Sequence, residues 1–173
     1  ETADIAINSA LTGHLVLSSV HTNDAPTAVP RLLDMKVPNF LVAAVLNVII
    51  AQRLVRKICL DCIESFPVDS AMSESLSKNL KDANSESRLS IPKILYHGKG
   101  CSACNNSGFK GRIGIYEALD VNEEIRKLII APNFSLDTLR ITARKNGMLT
   151  MFEDGLRKAE LGMTTIEEIL RVI

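Results

Sequence analysis

The stretch Thr12-Gly-His-Leu-Val-Leu-Ser-Ser-Val-His-Thr-Asn-Asp-Ala-Pro26 decides the fold class. Leu15 to Val20 is a continuous apolar run with two small serines, the signature of a strand buried on both faces. Upstream, Ala3 to Leu11 is helix-compatible and stops at Gly13, a residue suited to the left-handed position after a helix. Downstream, Asn23 or Asp24 can cap a helix whose first turn accepts Pro26, and Pro30 is expected to kink that helix. Asn39 can cap a further helix from Phe40, after which Val48 to Ile58 reads as a strand. Helix, strand, helix, helix, strand is the rhythm of an α/β sheet.

Length and composition bound what surrounds this block. A chain of 173 residues can bury roughly 70% of its unfolded surface. With 46% apolar and 23% charged residues, and 20 acids against 20 bases, it has the make-up of an ordinary globular protein. No charge excess points to nucleic acid or a membrane surface. The longest apolar run, Phe40 to Ala51, contains Asn47 and falls short of the ~20 residues that cross a bilayer. Glu1-Thr-Ala-Asp-Ile opens as if inside a helix, without an initiator Met, so a piece of a larger protein is expected.

Three consecutive blocks are expected: 1–58, the α/β block; 59–111, which holds all four cysteines; and 112–173, a strand followed by helices. In the second block, Met72, Leu76 and Leu80 recur at helical spacing after Ser70, giving one surface helix and then a loose loop to Pro92. In the third, Arg112 to Leu119 reads as a strand. Helices are expected over Val121 to Ile130, over Leu136 to Asn146 behind Ser135, and over Met151 to Leu161 before Gly162. Thr165-Ile-Glu-Glu168 has the form of a capping box for a last helix to Ile173.

The strongest chemical signal is Cys59-Leu-Asp-Cys62 with Cys101-Ser-Ala-Cys104, two Cys-x-x-Cys pairs separated by 38 residues. A tetrahedral ion needs four thiolates converging at ~2.3 Å, and each tight turn supplies two. The long spacer is no obstacle, because loop closure costs only ~0.6 kcal/mol per doubling of length. Four thiolates on Zn2+ leave a formal −2, which Arg56, Lys57, Lys99, Lys110 and Arg112 are placed in sequence to offset. A closed four-cysteine site is structural, with no position open for water. Disulfides, a redox dithiol and a chaperone-type knuckle are the competing readings.

Two of the three histidines bracket the apolar run. If Leu15 to Val20 is extended, seven steps of ~3.3 Å put His14 and His21 roughly 23 Å apart, so they cannot share an ion. His21 falls just past the C-terminal end of the expected strand, where open α/β sheets bind ligands. Pattern alone leaves a purely structural role for His21 open.

Taken together, Glu1-Thr-Ala, residues Thr12 to Pro26, Arg31-Leu-Leu-Asp-Met35, Ala51-Gln-Arg-Leu-Val-Arg-Lys-Ile-Cys59, the second cysteine pair, and Gly108-Phe-Lys-Gly-Arg-Ile-Gly-Ile-Tyr-Glu117 closely resemble one family. It is the bacterial secretion ATPase superfamily, specifically the type II secretion and type IV pilus assembly motor ATPases. The resemblance implies a partial RecA-like P-loop NTPase core, a tetracysteine zinc subdomain and a helical C-terminal subdomain. It implies a hexameric motor, cytoplasmic and peripheral to the inner membrane, that uses ATP and Mg2+ to drive an inner-membrane platform protein. It also places Thr12 to Asn23 on the family's histidine box, which makes His14 and His21 nucleotide-binding and His21 the catalytic sensor of the γ-phosphate. Cys59, Cys62, Cys101 and Cys104 become structural zinc ligands. No Gly-x-x-x-x-Gly-Lys-Ser/Thr occurs in the chain. The expectation is therefore a C-terminal portion inactive by itself, with a free-standing zinc interaction module as the alternative. Asn47 stands where the family usually has glycine.

Overall fold

A computed structural model describes residues 2–81 and 89–173. In order, the elements are helices α1 (Thr2–Leu11), α2 (Ala28–Asp34) and α3 (Asn39–Val45), strands β1 (Val48–Ile58) and β2 (Ile63–Pro67), helix α4 (Ser70–Lys81), strands β3 (Ile94–Gly98) and β4 (Phe109–Asp120), and helices α5 (Glu123–Ile130), α6 (Leu136–Lys145), α7 (Met151–Glu160) and α8 (Ile166–Val172). A short 3-10 turn covers Ser102–Cys104. β1 pairs with β4, and β2 pairs antiparallel with β3 from Ile63↔Gly98 to Pro67↔Ile94. Among the described residues, no helix is long and apolar enough to cross a membrane.

Contacts divide the chain into two compact units, Glu1–Ala51 with Glu117–Met148, and Gln52–Tyr116 with Leu149–Ile173. Each unit is built from two separate stretches of chain. The first unit has its core where Ile125 and Ile129 of α5, Leu139 and Ala143 of α6, and Val42 and Ala43 of α3 meet Leu119 and Val121. The i, i+4 spacing of the α5 and α6 pairs puts both members of each on one helix face. Asn122 caps α5 by accepting the Ile125 N–H at 3.1 Å, and Glu123 and Glu124 favour its positive end.

The second unit packs α7 and α8 closely enough that a Cβ on Gly155 would stand 2.9 Å from Ile169 Cγ2. The turn between these helices lies along β1. Ile58 N–H donates to Met163 O at 3.1 Å, and Thr164 Oγ1 donates to Arg56 O at 2.8 Å. Glu168 closes the same edge, accepting the Arg56 N–H at 3.0 Å and its guanidinium at 2.6 Å, while also binding Arg171.

Four expectations are corrected. Leu15 to Val20 is not a buried strand: residues 14–22 carry no regular structure, and Leu15 and Leu17 are each 88% exposed. A strand needs a ladder partner, and no described strand pairs with this segment. The helix expected from Asn23 or Asp24 starts only at Ala28, with Pro26 ahead of it. Pro30 lies in the first turn of α2, where its missing N–H removes no intrahelical bond. Only half of the Thr165 capping box forms. Thr165 Oγ1 accepts the Glu168 N–H at 3.4 Å, but the Glu168 carboxylate is held by the two arginines.

β1 spans the expected residues, and α4 to Lys81 matches the expected surface helix; the loop beyond it falls partly on 82–88, outside the described residues. The pairing of β2 with β3 was not read from the sequence.

Candidate functional site

The first Cys-x-x-Cys turn follows β1 directly, and the second precedes β4. Each is closed by its own backbone: Cys62 N–H donates to Cys59 O and Cys104 N–H to Cys101 O, both at 3.2 Å. Left-handed backbone at Gly100, Asn105, Asn106 and Gly108 turns the second knuckle. The knuckles are joined where Cys59 N–H donates to Gly108 O at 2.9 Å and Lys99 N–H to Cys62 O at 3.0 Å. This closeness depends on two glycines, since a Cβ on Gly108 would lie 2.5 Å from Gly98 O.

The result is a cluster of four sulfurs. All ligand atoms lie within 4.8 Å of one another. The Sγ atoms are 3.9 Å apart for Cys59 and Cys101, 3.8 Å for Cys62 and Cys104, and 3.7 Å for Cys101 and Cys104. A tetrahedron of sulfurs at ~2.3 Å from a central ion has edges of ~3.8 Å. The donor set therefore fits a tetrahedral thiophilic cation, and the four cysteines are free thiols.

Three of the thiols are shifted, and not all in the same direction. Burial pushes Cys62 up to about 12, opposed only by the Gly100 N–H, and neighbouring sulfurs push the same way. Burial also raises Cys59. At Cys104 burial again opposes ionisation, but the N–H groups of Cys101 and Gly108 and the neighbouring thiols outweigh it and bring the thiol down to about 6. The Cys101 N–H meets Cys104 Sγ at 3.2 Å. Two of the five basic residues proposed to offset thiolate charge are committed elsewhere: Lys99 pairs with Glu64, and Arg56 pairs with Glu168 and stacks 4.1 Å over Phe109.

His14 and His21 belong to the other unit. His14 Nδ1 lies 3.1 Å from Thr12 Oγ1 and 3.3 Å from Ser9 O, beside the end of α1. His21 is exposed, at the start of a tightly bonded turn. Asp24 Oδ1 accepts the Thr27 N–H at 2.8 Å, and its carbonyl accepts Thr22 Oγ1 and Thr27 Oγ1, each at 3.1 Å. Arg140 of α6 donates to Asp24 Oδ2 at 2.7 Å. Burial works against ionisation of Asp24, but the Thr27 and Arg140 hydrogen bonds prevail and hold its carboxyl below the ordinary carboxylate range. Glu117 of β4, itself buried, accepts the Ala25 N–H at 2.9 Å. Sequence reasoning missed Glu117 and Arg140, for partners 92 and 116 residues apart leave no local pattern.

Comparison with known proteins decides the lineage. The family described as Type II/IV secretion system protein matches residues 1–171. The chain belongs to that family. Among relatives in the family, the type IV pilus assembly ATPase TfpB of Acinetobacter baylyi is 39% identical over 173 residues, covering 100% of this chain and 28% of its own length. The type IV pilus assembly ATPase PilB of Thermus thermophilus is 43% identical over 98% of this chain and 18% of its own. The type II secretion system ATPase E of Vibrio cholerae is 39% identical over 99% of this chain and 32% of its own. The chain thus spans less than a third of each relative. Its fold is similar to the pilus retraction motor PilT bound to ADP, with TM-score 0.60 at 22% identity, covering 99% of this chain and 36% of that one. It is also similar to the ATPase DotB of Legionella pneumophila, with TM-score 0.58 at 17% identity, covering 99% and 35%.

Proposed function

We propose that this chain is part of a motor ATPase that powers type II protein secretion or type IV pilus assembly. The observation that carries the reading is identity of about two residues in five, over essentially the whole chain, to relatives named as those ATPases. The motor works as a hexamer on the cytoplasmic side of the inner membrane and passes its motion to a platform protein there. Within it, His21 faces the γ-phosphate of ATP-Mg2+ and His14 supports the same nucleotide site. These 173 residues contain no Gly-x-x-x-x-Gly-Lys-Ser/Thr. Hydrolysis therefore needs phosphate contacts from residues outside them, because phosphoryl transfer is catalysed chiefly by positioning and charge stabilisation.

Cys59, Cys62, Cys101 and Cys104 would hold Zn2+, which would neutralise the thiolates and tie the two knuckles together. With four protein ligands the site is structural, and residues 59–111 act as a zinc subdomain. The test is direct. The full-length protein that contains this chain, purified without added metal, is expected to carry about one zinc per chain and to release phosphate from ATP. Absence of zinc sinks the metal assignment, and absence of ATP turnover in the full-length protein sinks the motor.

A further inference from the structure

The turn that follows His21 is fixed from two sides by residues distant in sequence. Its interior bonds, from Thr22, Thr27 and Asp24, make residues 22–27 one compact piece. Ala25 is fully buried, and its N–H is taken by the buried carboxylate of Glu117. A buried carboxylate costs desolvation, and here it binds the backbone amide of a loop, which fixes where that loop leaves the core. On the other side Arg140 reaches from α6 to Asp24 Oδ2. His21, one residue before the piece, is exposed, and a displacement of the piece would break the Ala25–Glu117 or the Asp24–Arg140 bond.

We propose that Arg140, with Glu117, is a positioning residue for His21: it holds the 22–27 turn so that the imidazole stands in a fixed place for the nucleotide phosphate. The inference rests on the reading of His21 as the phosphate-facing group. Arg140 acts through Asp24 and does not itself touch the nucleotide. Its ion pair is open to solvent, with side chains 40% and 30% exposed, and such pairs add little to stability. Removing it therefore disturbs geometry more than folding.

The experiment measures steady-state phosphate release by the full-length protein with ATP and Mg2+, together with Tm. The variants are His21→Ala, Arg140→Ala, Arg140→Lys, Asp24→Asn and the double variant His21→Ala/Arg140→Ala. Arg140→Ala is expected to lower kcat about tenfold, with KM for ATP nearly unchanged and Tm within about 3 °C of wild type. Arg140→Lys keeps the charge and recovers most of the rate. Asp24→Asn keeps an acceptor for the Thr27 N–H but weakens the pair, and it carries the test if Arg140→Ala fails to fold. The double variant is expected to be no slower than His21→Ala, because a residue that acts only through His21 has nothing left to position. Wild-type kcat in both Arg140→Ala and Asp24→Asn beside an impaired His21→Ala overturns the positioning role alone, as does a double variant in which the two losses multiply. Full turnover by His21→Ala overturns the phosphate reading of His21, and the positioning role falls with it.

Discussion

Cys59 and Cys101 hold their Sγ atoms 3.9 Å apart across 42 residues of chain. The two knuckles are tied together by backbone hydrogen bonds between Cys59 and Gly108 and between Lys99 and Cys62. Such a preformed site is expected to bind zinc through all four sulfurs. Replacing either Cys59 or Cys104 by serine should take the content from about one zinc per chain to near none and lower Tm. Elemental analysis of the purified variants checks this, and full zinc occupancy in both would count against the site.

Gly98 and Gly108 should tolerate no side chain. A Cβ on Gly98 would stand 2.7 Å from Gly108 Cα, and Gly108 itself has φ +75°. The obstructing atoms are backbone on both sides, so relief requires the knuckle to open. Gly98→Ala and Gly108→Ala are each expected to cost about 2–4 kcal/mol, read by denaturant titration, and to weaken metal retention in parallel.

Glu168 should make the second unit sensitive to acid. Its side chain is 3% exposed, and hydrogen bonds from Arg171 and Arg56 outweigh burial to hold its carboxyl far below the usual value of 4.5. A carboxyl depressed in the folded state stabilises it above the unfolded pKa, and that stabilisation is lost as pH falls. The contribution is complete at neutral pH and starts to decline as pH drops through about 4.5. Glu168→Gln should lower Tm at pH 7 and flatten the acid limb of Tm against pH. An unchanged acid limb would show that Glu168 is not its source.

Thr150 and Glu153 cap α7 reciprocally: Glu153 N–H donates to Thr150 Oγ1 at 3.3 Å, and Thr150 N–H donates to Glu153 Oε2 at 2.8 Å. Thr150→Ala is expected to cost about 1 kcal/mol, and Thr150→Ser to restore nearly all of it. Equal denaturation midpoints for all three proteins would contradict the cap.

What the sequence disclosed was local chemistry. β1 was legible because Val48 to Ile58 concentrates β-branched residues, and α6 because Ser135 and Gly147 punctuate it; Ser135 Oγ accepts the Thr138 N–H, and Gly147 has φ +99°. The cysteine cluster was legible because two matched turns admit few other uses. Leu15 to Val20 misled because an apolar run records an affinity for a sheet without saying which strand supplies the partner. β2 escaped notice because Ser65 and Pro67 dilute its short pattern, and its mate lies beyond α4. The Asp24–Arg140 pair was invisible for the same reason, since nothing local to either residue announces the other.

The position of the two knuckles also bears on how the chain reaches its fold. The β2–β3 ladder begins with Ile63, directly after Cys62, paired to Gly98, three residues before Cys101, so that ladder must close over α4 and the residues after it. Distant pairings of this kind are slow, because the entropy of closure is lost before any contact forms. An ion captured first by the knuckles would bring the two strand ends together and let the ladder zip inward as if it were a short hairpin. The refolding rate of this unit, and not its final stability alone, would then rise with the concentration of free zinc.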